Sequence, residues 1–238
     1  MKAMLLAAGL GTRLRPITDI IPKALVDING QTLLQINLEK LKYYGFNEVI
    51  INLHHFPEKI RVYLKEHQNF GLDIEFSFEE QILNTGGGIK KASWFLKGNE
   101  PVLIHNVDIL SDIDFTGLLN FHNENQALVT LAVSKRNTPR QLFFNEINLL
   151  MGWENQADCE QKFVKSEITI LKRFAFSGIQ IVSPVFFDQI NEEGAFPIMD
   201  SYLRLAANHK IIAFEHDPEN WFDVGKINEL ESIRKRYK

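Results

Sequence analysis

Apolar positions along the chain fall into short blocks that alternate with stretches of helical spacing. Residues 3–7, 48–53, 74–78 and 102–105 are compact runs rich in aliphatic side chains, and each predicts a buried strand. Leu33, Leu34, Ile36, Leu38 and Leu41 recur on one helical face after Gln31 and Thr32 and stop before Gly45. Pro57 suits a first helical turn and predicts a helix running to about His67; residues 89–96 predict another. Strands alternating with helices imply an α/β fold: a Rossmann-like, mostly parallel (mixed) sheet with helices on both faces. The second half is less regular. Residues 127–133, 142–151, 169–182 and 211–215 read as extended, and 184–190, 198–207 and the basic 226–237 as helical. Asp112 and Asp114 precede a helix starting at Phe115 and suit its cap. No repeat, low-complexity tract or linker interrupts the pattern, so one domain over residues 1–238 is expected.

Composition narrows the classes. A formal charge of −4 lacks the basic surplus of a nucleic-acid binder, so no nucleic-acid partner is expected. The single cysteine, Cys159, cannot close an intramolecular disulfide, which points to a reducing cytoplasmic compartment. No run of about 20 apolar residues predicts a membrane span. Lys2 and the short apolar stretch after it faintly resemble a secretory leader, but Arg13 and Arg15 follow at once, so a leader is not expected.

Two glycine-bearing segments carry the candidate chemistry. From Leu6 to Leu25 the chain reads L-A-A-G-L-G-T-R-L-R-P-I-T-D-I-I-P-K-A-L. Gly9 and Gly11 let a turned backbone approach an anion closely. Arg13 offers a planar fork to phosphate oxygens and Lys23 a mobile point charge. The spacing is not that of Walker A, and Leu14 holds the third glycine position of the dinucleotide fingerprint. The second segment, Asn84–Thr85 followed by Gly86, Gly87 and Gly88, reads as a flexible turn or as a loop against which a flat base lies, opening a helix at Ile89. Asp108 follows a buried strand and Asp223 precedes the last helix. On position alone these are equally a turn residue and a cap, or a pair of magnesium ligands. His54 and His55 match no zinc spacing, and no Ser–His–Asp or nucleophilic cysteine arrangement is apparent.

The Leu6–Leu25 string resembles the signature L-A-A-G-x-G-T-R-[LM]-x-P-x-T-x-x-x-P-K-x-L of the nucleoside-diphosphate-sugar pyrophosphorylases, with every fixed position filled. That resemblance implies magnesium-dependent transfer of a nucleotidyl group from a nucleoside triphosphate to a sugar 1-phosphate. It implies catalytic roles for Arg13, Lys23 and Asp108, and Mg2+ held by Asp108 and Asp223. It implies a nucleotide pocket of Leu6, Ala8, Gly9, Gly11, Thr12, Arg13, Asn84, Thr85 and Gly86, and a sugar pocket of Asn106, Gly152 and Gly178. The string L-N-T-G-G-G-I is most similar to the N-acetylmuramate-1-phosphate uridylyltransferases, which implies UTP and N-acetylmuramate 1-phosphate. GTP with heptose or mannose 1-phosphate, and CTP with phosphocholine, are the rival pairs. A glycosyltransferase using Asp112-Ile113-Asp114 as its metal motif, and a non-catalytic nucleotide-sugar sensor, are the rival classes. The chain departs from the family pattern at Val107, where glycine commonly precedes the metal aspartate, and at Asn84, which replaces a glycine. Many relatives carry an added C-terminal domain; a chain of this length is expected to be a transferase domain alone.

Overall fold

The computed structural model describes residues 1–164 and 171–237. In chain order the elements are β1 (Lys2–Leu6), β2 (Asp27–Ile28), β3 (Gln31–Thr32), α1 (Leu33–Tyr43), β4 (Glu48–Leu53), α2 (Pro57–Glu66), β5 (Asp73–Phe78), α3 (Asn84–Lys91), α4 (Ser93–Leu96), β6 (Val102–Asn106) and β7 (Ile109–Ser111). There follow α5 (Phe115–Glu124), β8 (Val129–Ser134), β9 (Arg140–Phe144), β10 (Leu150–Asn155), β11 (Glu160–Phe163) and β12 (Lys172–Val182). The chain continues through α6 (Phe186–Gln189), α7 (Ile198–Leu205), β13 (Ile211–Glu215), β14 (Trp221–Asp223) and α8 (Ile227–Arg236).

Among the described residues the mixed sheet has ten strands. Its path runs β11-β10-β9-β12-β6-β1-β4-β5, with β8 and then β13 alongside β12. β5, β4, β1 and β6 are mutually parallel, β13 is parallel to β8, and β12 runs antiparallel to β6, β8 and β9. Alternation along β1 shows how the sheet buries both faces. Met4 belongs to the cluster containing Ile89, Leu96, Phe186 and Tyr202, whereas Ala3 and Leu5 belong to the cluster of Leu34, Leu38, Ile60, Leu64 and Phe115. Helices α3, α4, α6 and α7 therefore cover one face and α1, α2 and α5 the other. Local chemistry starts two of these helices. The Thr32 hydroxyl accepts from Gln35 N at 3.1 Å, and Asp114 Oδ1 accepts from Thr116 N at 2.9 Å.

Several elements differ from the sequence reading. The glycine cluster is not a loop ahead of a helix at Ile89 but the body of α3, and the expected helix over 89–96 is divided between α3 and α4. The span 142–151 is two strands, β9 and β10, joined through a turn in which Asn145 Oδ1 accepts from Leu149 N. β11 and the three-residue strands β7 and β14 have no counterpart in the reading. Residues 169 and 170 of the expected segment 169–182 lie outside the described residues. Among the described residues, no helix is long and apolar enough to cross a membrane.

Candidate active site

The parallel strands deliver their C-terminal ends to one edge, where ligands on such sheets gather. β1 ends at Leu6, paired with Asn52 on one side and Asn106 on the other. The turn beyond it is fixed by Asn52, whose Oδ1 accepts from Ala7 N at 2.7 Å. Ala8 is buried, Gly9 is open to space, and Gly11 takes a left-handed φ of 63°. A Cβ on Gly11 would lie 2.8 Å from Thr18 Cγ2 and 3.2 Å from Lys23 Cβ, so glycine lets this turn close against Lys23. The Thr18 hydroxyl donates to Gly11 O at 2.8 Å, and Thr12, Arg13 and Leu14 form a single 3-10 turn that leaves Arg13 exposed.

Lys23 reaches across this turn to Asp108, and the two form a short ion pair between Nζ and Oδ2. Asp108 follows Val107, which is buried, keeps an ordinary negative φ, donates to Leu6 O and accepts from Asn37 Nδ2. The valine thus fits where relatives commonly have glycine, and Asp108 still meets Lys23.

Asp223 arrives from the far end of the chain. β14 pairs antiparallel with β7 so that Asp223 lies opposite Ile109, and Val224 N donates to Asp108 O at 2.8 Å. Burial first, then the charge of Asp108, push the Asp223 carboxyl above the usual carboxylate range, while Lys23 and Arg13 pull it back. Its Oδ1 is buried with no hydrogen-bond partner among the described residues. A Cβ placed on Gly225 would lie 2.6 Å from that oxygen and 2.7 Å from Arg13 Nη2. Arg13, Lys23, Asp108 and Asp223, scattered over the sequence, therefore converge. Beneath them Leu14, Val26, Leu33, Leu110, Val224, Leu230 and Ile233 form a separate apolar cluster that binds the N-terminal turn to α8.

The sugar-pocket candidates divide. Gly178 has a φ of 75° inside the bulge of β12, and a Cβ there would lie 2.9 Å from both Asn106 Nδ2 and Ile109 Cγ1. It is thus in contact with Asn106 and next to Asp108. Gly152 lies instead in the β9–β10 ladder, where a Cβ would meet Phe163 at 2.6 Å and Phe143 at 3.1 Å beneath their stacked rings. Trp153 packs partly buried on the cluster of Met4, Ile89, Phe186 and Tyr202.

The glycines of α3 serve packing, which the sequence reading did not foresee. A Cβ on Gly86 would lie 2.3 Å from Phe196 Cε2, one on Gly87 2.4 Å from Gly194 O, and one on Gly88 2.7 Å from Glu79 Oε1. Gly86 N already donates to Phe196 O, and Thr85 Oγ1 accepts from Ile198 N. Asn84 and Thr85 remain exposed at the head of the helix. Glu79, upstream of the cluster, is fully buried: it accepts from Asn52 Nδ2 and Leu83 N, and so ties α3 to the turn after β1.

A further group went unforeseen. Arg136 stacks 3.3 Å from the centre of the Trp221 ring and donates to Ser134 Oγ, Phe176 O and Ser177 Oγ. Trp221 Nε1 donates to Ser177 O, and His216 Nε2 pairs with Ser177 Oγ. Together they hold the bulge that carries Gly178. These residues form no motif, so nothing in the sequence marks them as a unit. His54 and His55, which match no zinc spacing, bond the carbonyls of Glu79 and Thr18. Asp114 caps α5 and Asp112 Oδ2 accepts from Asn220 Nδ2, so both carboxylates of the Asp112–Asp114 motif are engaged.

This sheet order, with a cationic turn after β1, Asp108 in the turn before β7 and Asp223 on β14, defines a nucleotide-diphospho-sugar transferase architecture. The Nucleotidyl transferase family profile matches residues 2–144, and the chain belongs to that family. It is 32% identical to the N-acetylmuramate alpha-1-phosphate uridylyltransferase of Neisseria meningitidis serogroup B, over 98% of this chain and 97% of the relative. It is 28% identical to a mannose-1-phosphate guanylyltransferase of Oryza sativa subsp. japonica, over 99% of this chain but only 66% of that relative. The fold is shared with a UDP-glucose pyrophosphorylase solved with UDP-glucose, at a TM-score of 0.80 and 20% identity over 99% and 97% of the two chains.

Proposed function

We propose that the chain joins a nucleoside triphosphate to a sugar 1-phosphate, giving a nucleoside-diphosphate sugar and pyrophosphate, as one cytoplasmic domain spanning residues 1–238. The observation that carries this reading is the convergence of Arg13, Lys23, Asp108 and Asp223 beside Gly178 at the C-terminal edge of the sheet. A phosphate oxygen of the acceptor attacks the α-phosphorus, a new P–O bond forms, and the bond to the bridging oxygen of pyrophosphate breaks. No covalent enzyme intermediate is required. Arg13, exposed at the mouth of the turn, neutralises the leaving pyrophosphate. Lys23 holds the donor and acceptor phosphates in line, where positioning and charge do most of the catalytic work. Asn106 and Gly178 receive the sugar; Leu6, Ala8, Gly9, Gly11 and Thr12 line the nucleotide, with Asn84, Thr85 and Gly86 at its base.

The residues suit magnesium. Asp223 Oδ1 is buried and unpartnered beside Asp108, and two carboxylates plus phosphate oxygens and water are a usual Mg2+ shell. Among the described residues no group of three or more His, Cys, Asp or Glu side chains gathers as an all-protein cage. Asp108 and Asp223 would hold the ion, and bound Mg2+ would neutralise charge on the triphosphate.

For substrates we favour UTP with N-acetylmuramate 1-phosphate. That pair is supported by the near end-to-end match to the Neisseria uridylyltransferase and by the L-N-T-G-G-G-I string. GTP with mannose 1-phosphate is the second reading, supported by the several guanylyltransferases among its relatives. The test is a matrix of four triphosphates against sugar 1-phosphates, followed by pyrophosphate release. Release confined to UTP with N-acetylmuramate 1-phosphate supports the first pair, and release with GTP and mannose 1-phosphate supports the second. Silence across the matrix sinks the transferase reading.

A further inference from the structure

Beside the Gly178 bulge lies an open cavity of about 410 Å³ whose wall includes Lys135, Arg136, Arg173, Gln141 and Gln156. It belongs to the ligand edge. β8 runs parallel to β6, because both are antiparallel to β12, so the loop after Ser134 emerges on the same side as Asn106 and Asp108. The wall is cationic. Among the described residues Lys135 is paired only with exposed Glu215, at 3.0 Å, an interaction that water screens and an incoming anion can replace. Arg173 is half-exposed and lies 3.2 Å from Glu154, whose carboxylate also accepts from Gln156 and Gln161. Arg136 makes its described hydrogen bonds to two hydroxyls and a carbonyl, and no described carboxylate lies within ion-pair distance. Burial lowers its pKa to about 10, which leaves it charged at neutral pH. Gln141 Nε2 donates to Arg136 O and Thr138 O, so the loop that forms the wall is fixed.

We propose that this cavity receives a carboxylate carried on the sugar ring of the acceptor, in addition to its 1-phosphate. The inference rests on the transferase reading above and gives the acid a place within it. Arg136 connects the two regions. Its guanidinium bonds Phe176 and Ser177, the residues just before Gly178, and lies on Trp221, two residues before Asp223. An acceptor with its phosphate at Lys23 and its ring over Gly178 therefore extends its substituents toward the basic wall. A planar guanidinium suits a carboxylate better than it suits a neutral hydroxyl.

The test compares N-acetylmuramate 1-phosphate with N-acetylglucosamine 1-phosphate, which lacks the lactyl carboxylate. Both are titrated calorimetrically, alone and with magnesium and a non-hydrolysable UTP analogue. The wild-type chain is expected to bind the acid at least ten times more tightly. Lys135→Met with Arg173→Gln is expected to bring the ratio close to one while binding of the neutral sugar stays within about twofold. Lys135→Met alone changes only an exposed side chain, so its intermediate loss remains readable if the double variant is unstable. Equal binding of the two sugars by the wild type in both conditions overturns the proposal, as does a preference that survives both variants. A preference for the acid without pyrophosphate release from any substrate pair keeps the acid pocket and sinks the transferase reading.

Discussion

Lys23 and Asp108, 85 residues apart, meet as an ion pair that joins the turn after β1 to the end of β6. Both side chains are mostly buried, so removing either leaves a charge without its partner. Under the proposed reaction, Lys23→Ala and Asp108→Asn should each slow pyrophosphate release by about 10²–10³-fold. The double variant should lose far less than the product of the two, because they act as a unit. Steady-state rates for the four proteins, with melting curves to confirm folding, decide this.

The raised pKa of the Asp223 carboxyl yields a prediction with a defined sign. A carboxyl whose pKa is raised in the folded state costs stability as pH climbs from its unfolded value, about 3.9, through the folded one. Asp223→Asn should therefore raise the melting temperature at pH 7 in chelator-treated protein. The same variant should lose the added stabilisation that magnesium and nucleoside triphosphate confer on the wild type. Scanning fluorimetry with and without both ligands measures the two effects together.

Gly86 reverses a familiar rule. Glycine to alanine inside an exposed helix gains about 1 kcal/mol. A methyl here would lie 2.3 Å from the Phe196 ring and 2.8 Å from its carbonyl oxygen. Gly86→Ala is expected to cost about 1–3 kcal/mol through overpacking, seen as a lower urea midpoint.

Two buried histidines should make the fold acid-sensitive. Burial lowers His105 to about 3 and His122 to about 4. His122 lies between Thr130 Oγ1 and Ser183 Oγ. Each contributes stability that is complete above its unfolded pKa of about 6.5 and is lost as pH falls toward the folded value. Urea midpoints should decline from pH 7 to pH 5, and His122→Gln should flatten that decline.

The first half of the fold is legible in the sequence because β1, β4 and β6 are buried on both faces and so appear as unbroken apolar runs. β1, β4 and β6 fall within a residue or two of where those runs lie. α3 is not legible, since three successive glycines argue against a helix; close packing on Phe196, Gly194 and Glu79 overrides propensity. The cationic turn is legible from its glycines and Arg13. The Arg136–Trp221–Ser177 group is not, because each member comes from a different strand or loop and acts through the shape of the β12 bulge. β7 and β14 are too short to carry a pattern, and only their pairing reveals why Asp108 and Asp223 meet.

That pairing also sets an order of assembly. A nascent chain synthesised as far as β13 already contains the sheet, the N-terminal turn and the Lys23–Asp108 pair. It lacks the strand that brings the second acid into register, and the helix whose Leu230 and Ile233 clamp the N-terminal turn from below. The carboxylate pair is completed only by β14, so a chain cut back to β13 keeps every strand of the ten-stranded sheet yet lacks one of the two acids.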